Sequence, residues 1–134
     1  MTRLTLSLVS SALLIAASAA SADDFDGQHA LVCSLDEAAE CDVDALCTTV
    51  SGEEIELPDS ITVDFKSSRL RSPDGQRSSP IHSTDVTNAV LIAQGSQNGR
   101  GWSMAIDRAT GRMTGTIAEP VGAFVLTGSC AKAP

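Results

Sequence analysis

Four cysteines, Cys33, Cys41, Cys47 and Cys130, carry the most readable chemistry in this 134-residue chain. An even number of cysteines in an exported chain points to disulfides. The spacing does not suit zinc, because seven residues separate Cys33 from Cys41, five separate Cys41 from Cys47, and no C-x-x-C occurs. Four cysteines allow three connectivities. The favoured one closes Cys41–Cys47 as a local loop and joins Cys33 to Cys130 between the first and last strands. In the loop-entropy account the long bridge stabilises the fold by about 4–5 kcal/mol and the short one by about 2 kcal/mol.

Other reactive constellations are sparse. G-x-S-x-G, H-E-x-x-H, the P-loop and G-x-G-x-x-G do not occur. Ser83, His82 and Asp85 supply triad residue types, but neighbours on one strand do not point to a common centre. Asp42, Asp44 and Glu53 have the outer spacing of a calcium loop, yet Leu46 and Cys47 occupy positions five and six, where an oxygen ligand and a glycine belong. No catalytic activity, metal or cofactor is therefore expected. Gly99-Arg100-Gly101-Trp102 offers an Arg/Trp pair of the kind enriched in binding hot spots, although the hairpin pattern below turns Trp102 inward.

Charge is distributed unevenly. Asp23 to Asp64 holds thirteen acidic residues and no Lys or Arg, whereas the chain from Phe65 onward holds four acidic and eight basic residues. A net charge of −8 argues against nucleic acid, whose phosphates need excess Lys and Arg. Asp42, Asp44, Glu53, Glu54 and Glu56, with Arg100, form a candidate interaction surface for a basic protein partner.

The residues that must position these groups begin after an export signal. Met1-Thr2-Arg3 is a short positive region, Leu4 to Ala17 is apolar, and Ala20-Ser21-Ala22 matches a signal-peptidase site. The apolar run is shorter than the roughly 20 residues that span a bilayer. The expected organisation is a signal peptide over 1–22 and one domain over 23–134, periplasmic or secreted, with no stable membrane insertion. Asp23 to Gly27 reads as a flexible charged N-terminus.

The second half reads as antiparallel strands joined by short turns. Asn98-Gly99 suits a two-residue type I′ turn, which needs positive φ at both positions. That turn pairs Gly95 with Trp102, Ala93 with Met104 and Leu91 with Ile106, placing all six on one face. Glycine opposite Trp102 leaves room for the indole. A four-residue loop after Asp107 pairs Ile106 with Met113, Met104 with Gly115 and Trp102 with Ile117. A four-residue link, Glu119–Gly122, then sets Ile117 against Phe124 and Gly115 against Leu126. In the first half, Leu31, Cys33 and Leu35 alternate, as do Ile61, Val63 and Phe65. Asp36 to Cys47 reads as a short helical turn or irregular loop, Ser72 to Ser79 as an exposed hairpin tip, and Pro80 to Thr87 as a strand.

These patterns predict an all-β antiparallel meander of about seven or eight short strands, closed by pairing first with last into a small lipocalin-like barrel or half-barrel. A two-sheet β-sandwich is the alternative. With Cys33, Cys41 and Cys47, Leu57-Pro58, Asp64-Phe65, the run Gly99 to Asp107, Thr110 to Thr114 and Cys130, the chain resembles small exported bacterial proteins. That resemblance implies a secreted, disulfide-containing domain and brings no activity with it. The expected function is a non-catalytic binding or interaction module, inhibitor-like in size and topology. The alternatives are a carrier of a small apolar ligand and a hydrolase with an unrecognised site. At about 112 mature residues the interior is expected to be filled by side chains.

Overall fold

The computed structural model describes residues 21–44 and 46–134; the body of the expected export signal lies outside the described residues. Among the described residues the regular structure is antiparallel sheet, with one short 3-10 turn. Its strands are β1 (Leu31–Asp42), β2 (Cys47–Val50), β3 (Ser60–Asp64), β4 (Arg69–Arg71), β5 (Ser78–Pro80), β6 (Ser83–Val86), β7 (Val90–Gln97), β8 (Arg100–Asp107), β9 (Arg112–Glu119) and β10 (Gly122–Lys132). They form one sheet in the order β5-β4-β3-β1-β10-β9-β8-β7-β6, with β2 paired to β1 beside β3.

The sheet curls until its two ends share one segment. Only Ile81 and His82 separate β5, which pairs with β4, from β6, which pairs with β7. At that junction the His82 N–H donates to the Gln94 carbonyl at 2.8 Å, and the Ile81 N–H donates to the Ser68 carbonyl at 2.9 Å. Ser78–Val86 thus acts as one bent strand, and with β2 off the main path the ten segments give an eight-strand outline, within the seven or eight expected.

Turn chemistry sets the register of the second half. Asn98 and Gly99 take φ of 53° and 77°, as the two-residue turn requires. Gly95 then faces Trp102, Ala93 faces Met104 and Leu91 faces Ile106. Ile106 pairs with Met113, and Met104 with Gly115. Ile117 pairs with Phe124 and Gly115 with Leu126, although the turn is tighter than expected, since Glu119 and Gly122 are themselves paired. The fully buried core is built from these inward rows with Leu31, Cys33 and Val63.

Two expectations for the first half are overturned. Asp36 to Cys47 is neither helical nor irregular: β1 continues to Asp42 and returns as β2, with Cys41 opposite Cys47. The extension depends on a bulge at Asp36, between the pairs Leu35↔Gly128 and Glu37↔Thr127. One extra residue reverses facial parity, so Cys33 lies in the core whereas Cys41 pairs on the other parity. The N-terminal segment is likewise ordered. Ala22–Phe25 is a 3-10 turn capped by Ser21, and Phe25 is fully buried. Arg108 holds it by donating from Nε to the Phe25 carbonyl at 2.9 Å and from Nη2 to the Ala22 carbonyl at 2.8 Å, while Nη1 donates to the Thr87 carbonyl at 2.6 Å. Cleavage after Ala22 would remove one of these three acceptors and leave the other two.

Disulfides join Cys33 to Cys130 across the β1–β10 seam and Cys41 to Cys47 across the β1–β2 hairpin. The first closes a separation of 97 residues and the second one of 6. Replacing Cys33 and Cys130 by Ser should therefore cost about 4–5 kcal/mol of unfolding free energy, against about 2 kcal/mol for Cys41 and Cys47. Urea midpoints of the two double variants measure the difference. Gly95→Ala should destabilise by about 1–3 kcal/mol through overpacking, because the added Cβ would fall on the Pro80 carbonyl oxygen and 2.5 Å from Cζ2 of Trp102. Thermal melting of this single variant checks that value.

Candidate functional site

The two ends of the barrel are built differently. Phe25, Leu91 and Ile106 pack one end without solvent access, beneath the turn held by Arg108. The other end is ringed by the β4–β5 tip, the Asn98-Gly99 turn, the β9–β10 turn and the segment leading to Pro58. It opens into a cavity of about 770 Å³. The expectation of a filled interior is thereby corrected. Gly115 and Ser79 on the lining of this end carry no side chain or a small one.

The wall is mainly apolar, formed by Leu35, Leu70, Trp102, Met104, Ile117 and Leu126. Trp102 points inward, as its register requires, and its indole N–H donates to Ser79 Oγ at 2.9 Å. That bond satisfies the one polar atom of the ring and holds its face along the wall. At the mouth, Arg100 Nε donates to Glu119 Oε2 at 2.8 Å. These residues occupy the next register position beyond Gly101 and Ala118 and share the inward parity of Trp102 and Ile117.

Local hydrogen bonds stiffen the lip. Ser72 is buried and donates from its hydroxyl to the Asp74 carboxylate, while Oγ accepts from the Arg77 N–H at 3.0 Å. The Gln76 N–H also donates to Asp74, at 3.0 Å. Arg77 Nη1 reaches across to the Glu56 carbonyl. The Ser72 hydroxyl and then the Gln76 N–H hold the Asp74 carboxyl below its ordinary value of 3.8. Elsewhere the Ser67 hydroxyl and N–H do the same for Asp64, and the Thr110 N–H and hydroxyl for Asp107.

The residues expected to form one interaction surface are divided. Arg100 lines the cavity mouth. Glu53 and Glu56 border a neighbouring groove with Asp59 and Arg77. Glu54 is tied back to Ser51, whose N–H and hydroxyl donate to it at 2.7 and 2.9 Å. Asp42 and Asp44 stand at the β1–β2 hairpin tip, beside exposed Val43 and Leu46. The Ser83 hydroxyl donates to Gln94 Oε1 at 3.2 Å, and His82 Nδ1 faces Ser96 Oγ at 3.5 Å. Among the described residues no group of three or more metal-ligating side chains converges, and no helix is long and apolar enough to cross a membrane.

Sequence reasoning did not single out Arg77, Glu119, Ser79 or Gln97 as cavity residues. Gln97 had a readable signal, since it lies two residues beyond inward Gly95 in the predicted hairpin, whereas Glu119 was expected in the loop and joins the ladder only because that turn is tighter. Arg77 and Ser79 had none, because they reach the mouth only through closure over Ser78–Val86. Comparison with known protein families, curated proteins and solved structures finds no match. The resemblance to small exported proteins consequently gains no support from it, and any reading of the site rests on its own geometry.

The depressed carboxyls make stability acid-sensitive. A carboxyl whose folded pKa lies below its unfolded value contributes fully above 3.8 and loses that contribution as pH falls through the folded value. Urea midpoints should therefore hold steady down to about pH 5 and fall between there and about pH 2. Asp74→Asn should make that acid limb shallower.

Proposed function

We propose that the chain is an exported, non-catalytic binding module that holds a small, mainly apolar ligand in the open end of its barrel. The observation that carries this reading is the cavity of about 770 Å³ with an apolar wall and a few polar groups at its mouth. Small-molecule sites share that build and commonly span about 300–1,000 Å³. A cavity of this kind forgoes packing that would otherwise stabilise the fold, which is consistent with a site kept for an occupant. The export signal read in the sequence, together with two disulfides, supports a periplasmic or secreted location.

The protein-interaction reading keeps one specific observation. Exposed Val43 and Leu46 stand with Asp42 and Asp44 on a single hairpin tip, an apolar and acidic combination suited to a basic partner. A module acting only through that tip leaves the barrel interior unused.

Titration with N-phenyl-1-naphthylamine, an uncharged probe that brightens in apolar surroundings, separates the two. The probe should bind saturably, and Gly115→Leu should weaken it about tenfold while the fold persists. Gly115 lines the cavity, and a Cβ there meets its nearest neighbours, Leu126 Cβ and Met113 Sδ, at an ordinary 3.6 Å; an unchanged far-ultraviolet circular dichroism spectrum checks that the variant is folded. Absence of saturable binding to the unaltered protein would overturn the carrier reading.

A further inference from the structure

The cavity's charge runs opposite to that of the chain. The whole sequence has a formal charge of −8, yet the charged residues lining the cavity are Arg71, Arg77, Arg100 and Glu119. Arg71 is directed elsewhere, with Nη2 3.4 Å from Ser67 Oγ on the side of Asp64. Arg77 and Arg100 remain at the mouth, on the two sides contributed by the β4–β5 tip and by β8. Their hydrogen bonds among the described residues, to the Glu56 carbonyl and to Glu119, each use a single N–H. A guanidinium has five donors in a planar fork, so both retain donors for an incoming acceptor. Arg77 is braced from behind as well, because its own N–H is held by the buried Ser72 hydroxyl.

We propose that the cavity takes an amphiphile with a single apolar chain and a carboxylate head, with the chain along Trp102, Met104, Ile117 and Leu126 and the head between Arg77 and Arg100. The inference rests on the carrier reading and specifies its ligand class. Polarity along the barrel dictates the orientation. The far end is shut by Phe25, Leu91 and Ile106, where a charge would be left without solvent or partner. The mouth offers two guanidiniums in water-accessible surroundings, which favour a carboxylate and repel an ammonium. Glu119 tempers the site: it neutralises part of Arg100 and leaves room for one negative charge.

Trp102 is the only tryptophan in the chain and lies on the cavity wall, so its emission reports occupancy directly. The oxidised protein is titrated, below micelle-forming concentrations, with dodecanoate, dodecanol and dodecyltrimethylammonium. Dodecanoate should bind at least about tenfold more tightly than dodecanol, as loss of charge-assisted hydrogen bonds implies, and the ammonium most weakly. The preference should shrink as salt rises. The double variant Arg77→Gln with Arg100→Gln should abolish the preference while dodecanol still binds saturably, and an unchanged far-ultraviolet circular dichroism spectrum shows that the variant is folded. Equal affinity for dodecanoate and dodecanol, tightest binding of the ammonium, or a preference that survives in the double variant overturns the head-group assignment while leaving the carrier reading in place. Failure of all three amphiphiles to bind overturns both.

Discussion

Strands β1 and β10 are the longest in the molecule, at 12 and 11 residues, and they are the first and last. Their pairing runs from Leu31↔Lys132 to Asp42↔Gly122 and is clasped inside the core at Cys33–Cys130. The other strands run from three to eight residues, and an isolated two-stranded hairpin is marginal in water. Joining the termini turns an open ribbon with two exposed edges into a curled sheet, and only then do the inward rows of β7, β8 and β9 face β1 and β3 across a common interior. The bridge links residues that are distant in sequence, so its main effect is on the entropy of the unfolded chain.

Closure alone does not decide what lies inside. Only three Phe and one Trp are available, and Tyr is absent. Phe25 is spent at the closed end, where Arg108 fastens its carbonyl. Trp102 is placed along one wall at the other end, opposite Gly95. Trp102 is the one aromatic among the described residues lining the open end, where the inward rows otherwise bring Met104, Gly115, Ile117 and Leu126. The asymmetry between a packed base and an open mouth thus follows from where bulky residues fall along the strands. Glycine serves two purposes here: Gly95 admits the Pro80 carbonyl and the Trp102 ring, whereas Gly115 lines the cavity.

Electrostatics follows the same division. The acidic first half supplies β1, β2 and the loop to β3, so its carboxylates gather on that side of the sheet. The basic residues of the second half are split between structural tasks, such as Arg108 at the base, and the mouth, where Arg77 and Arg100 stand. The inner rim is therefore of opposite sign to the molecule as a whole. Both guanidiniums are exposed, so their attraction for an anion falls as salt rises.

Local chemistry was sufficient for the register of β7 to β10, since Asn98-Gly99 accepts one turn geometry and the apolar alternation accepts one facing. It was sufficient also for the disulfide pairing, because Cys33 and Cys130 share the inward parity of their neighbours while Cys41 and Cys47 are close in sequence. Three features were settled only in three dimensions. The bulge at Asp36 inserts a residue that no alternation reveals, and it extends β1 where a loop was expected. Phe25 becomes core only because Arg108, distant in sequence, collects the carbonyls around it. The cavity exists because closure through Ser78–Val86 carries Ser79 and Arg77 round to Trp102 and Arg100. Turn residues and side-chain parity act over a few neighbours and can be read from the chain. The space enclosed when distant segments meet depends on how their volumes add, and that sum is defined only once the barrel has closed.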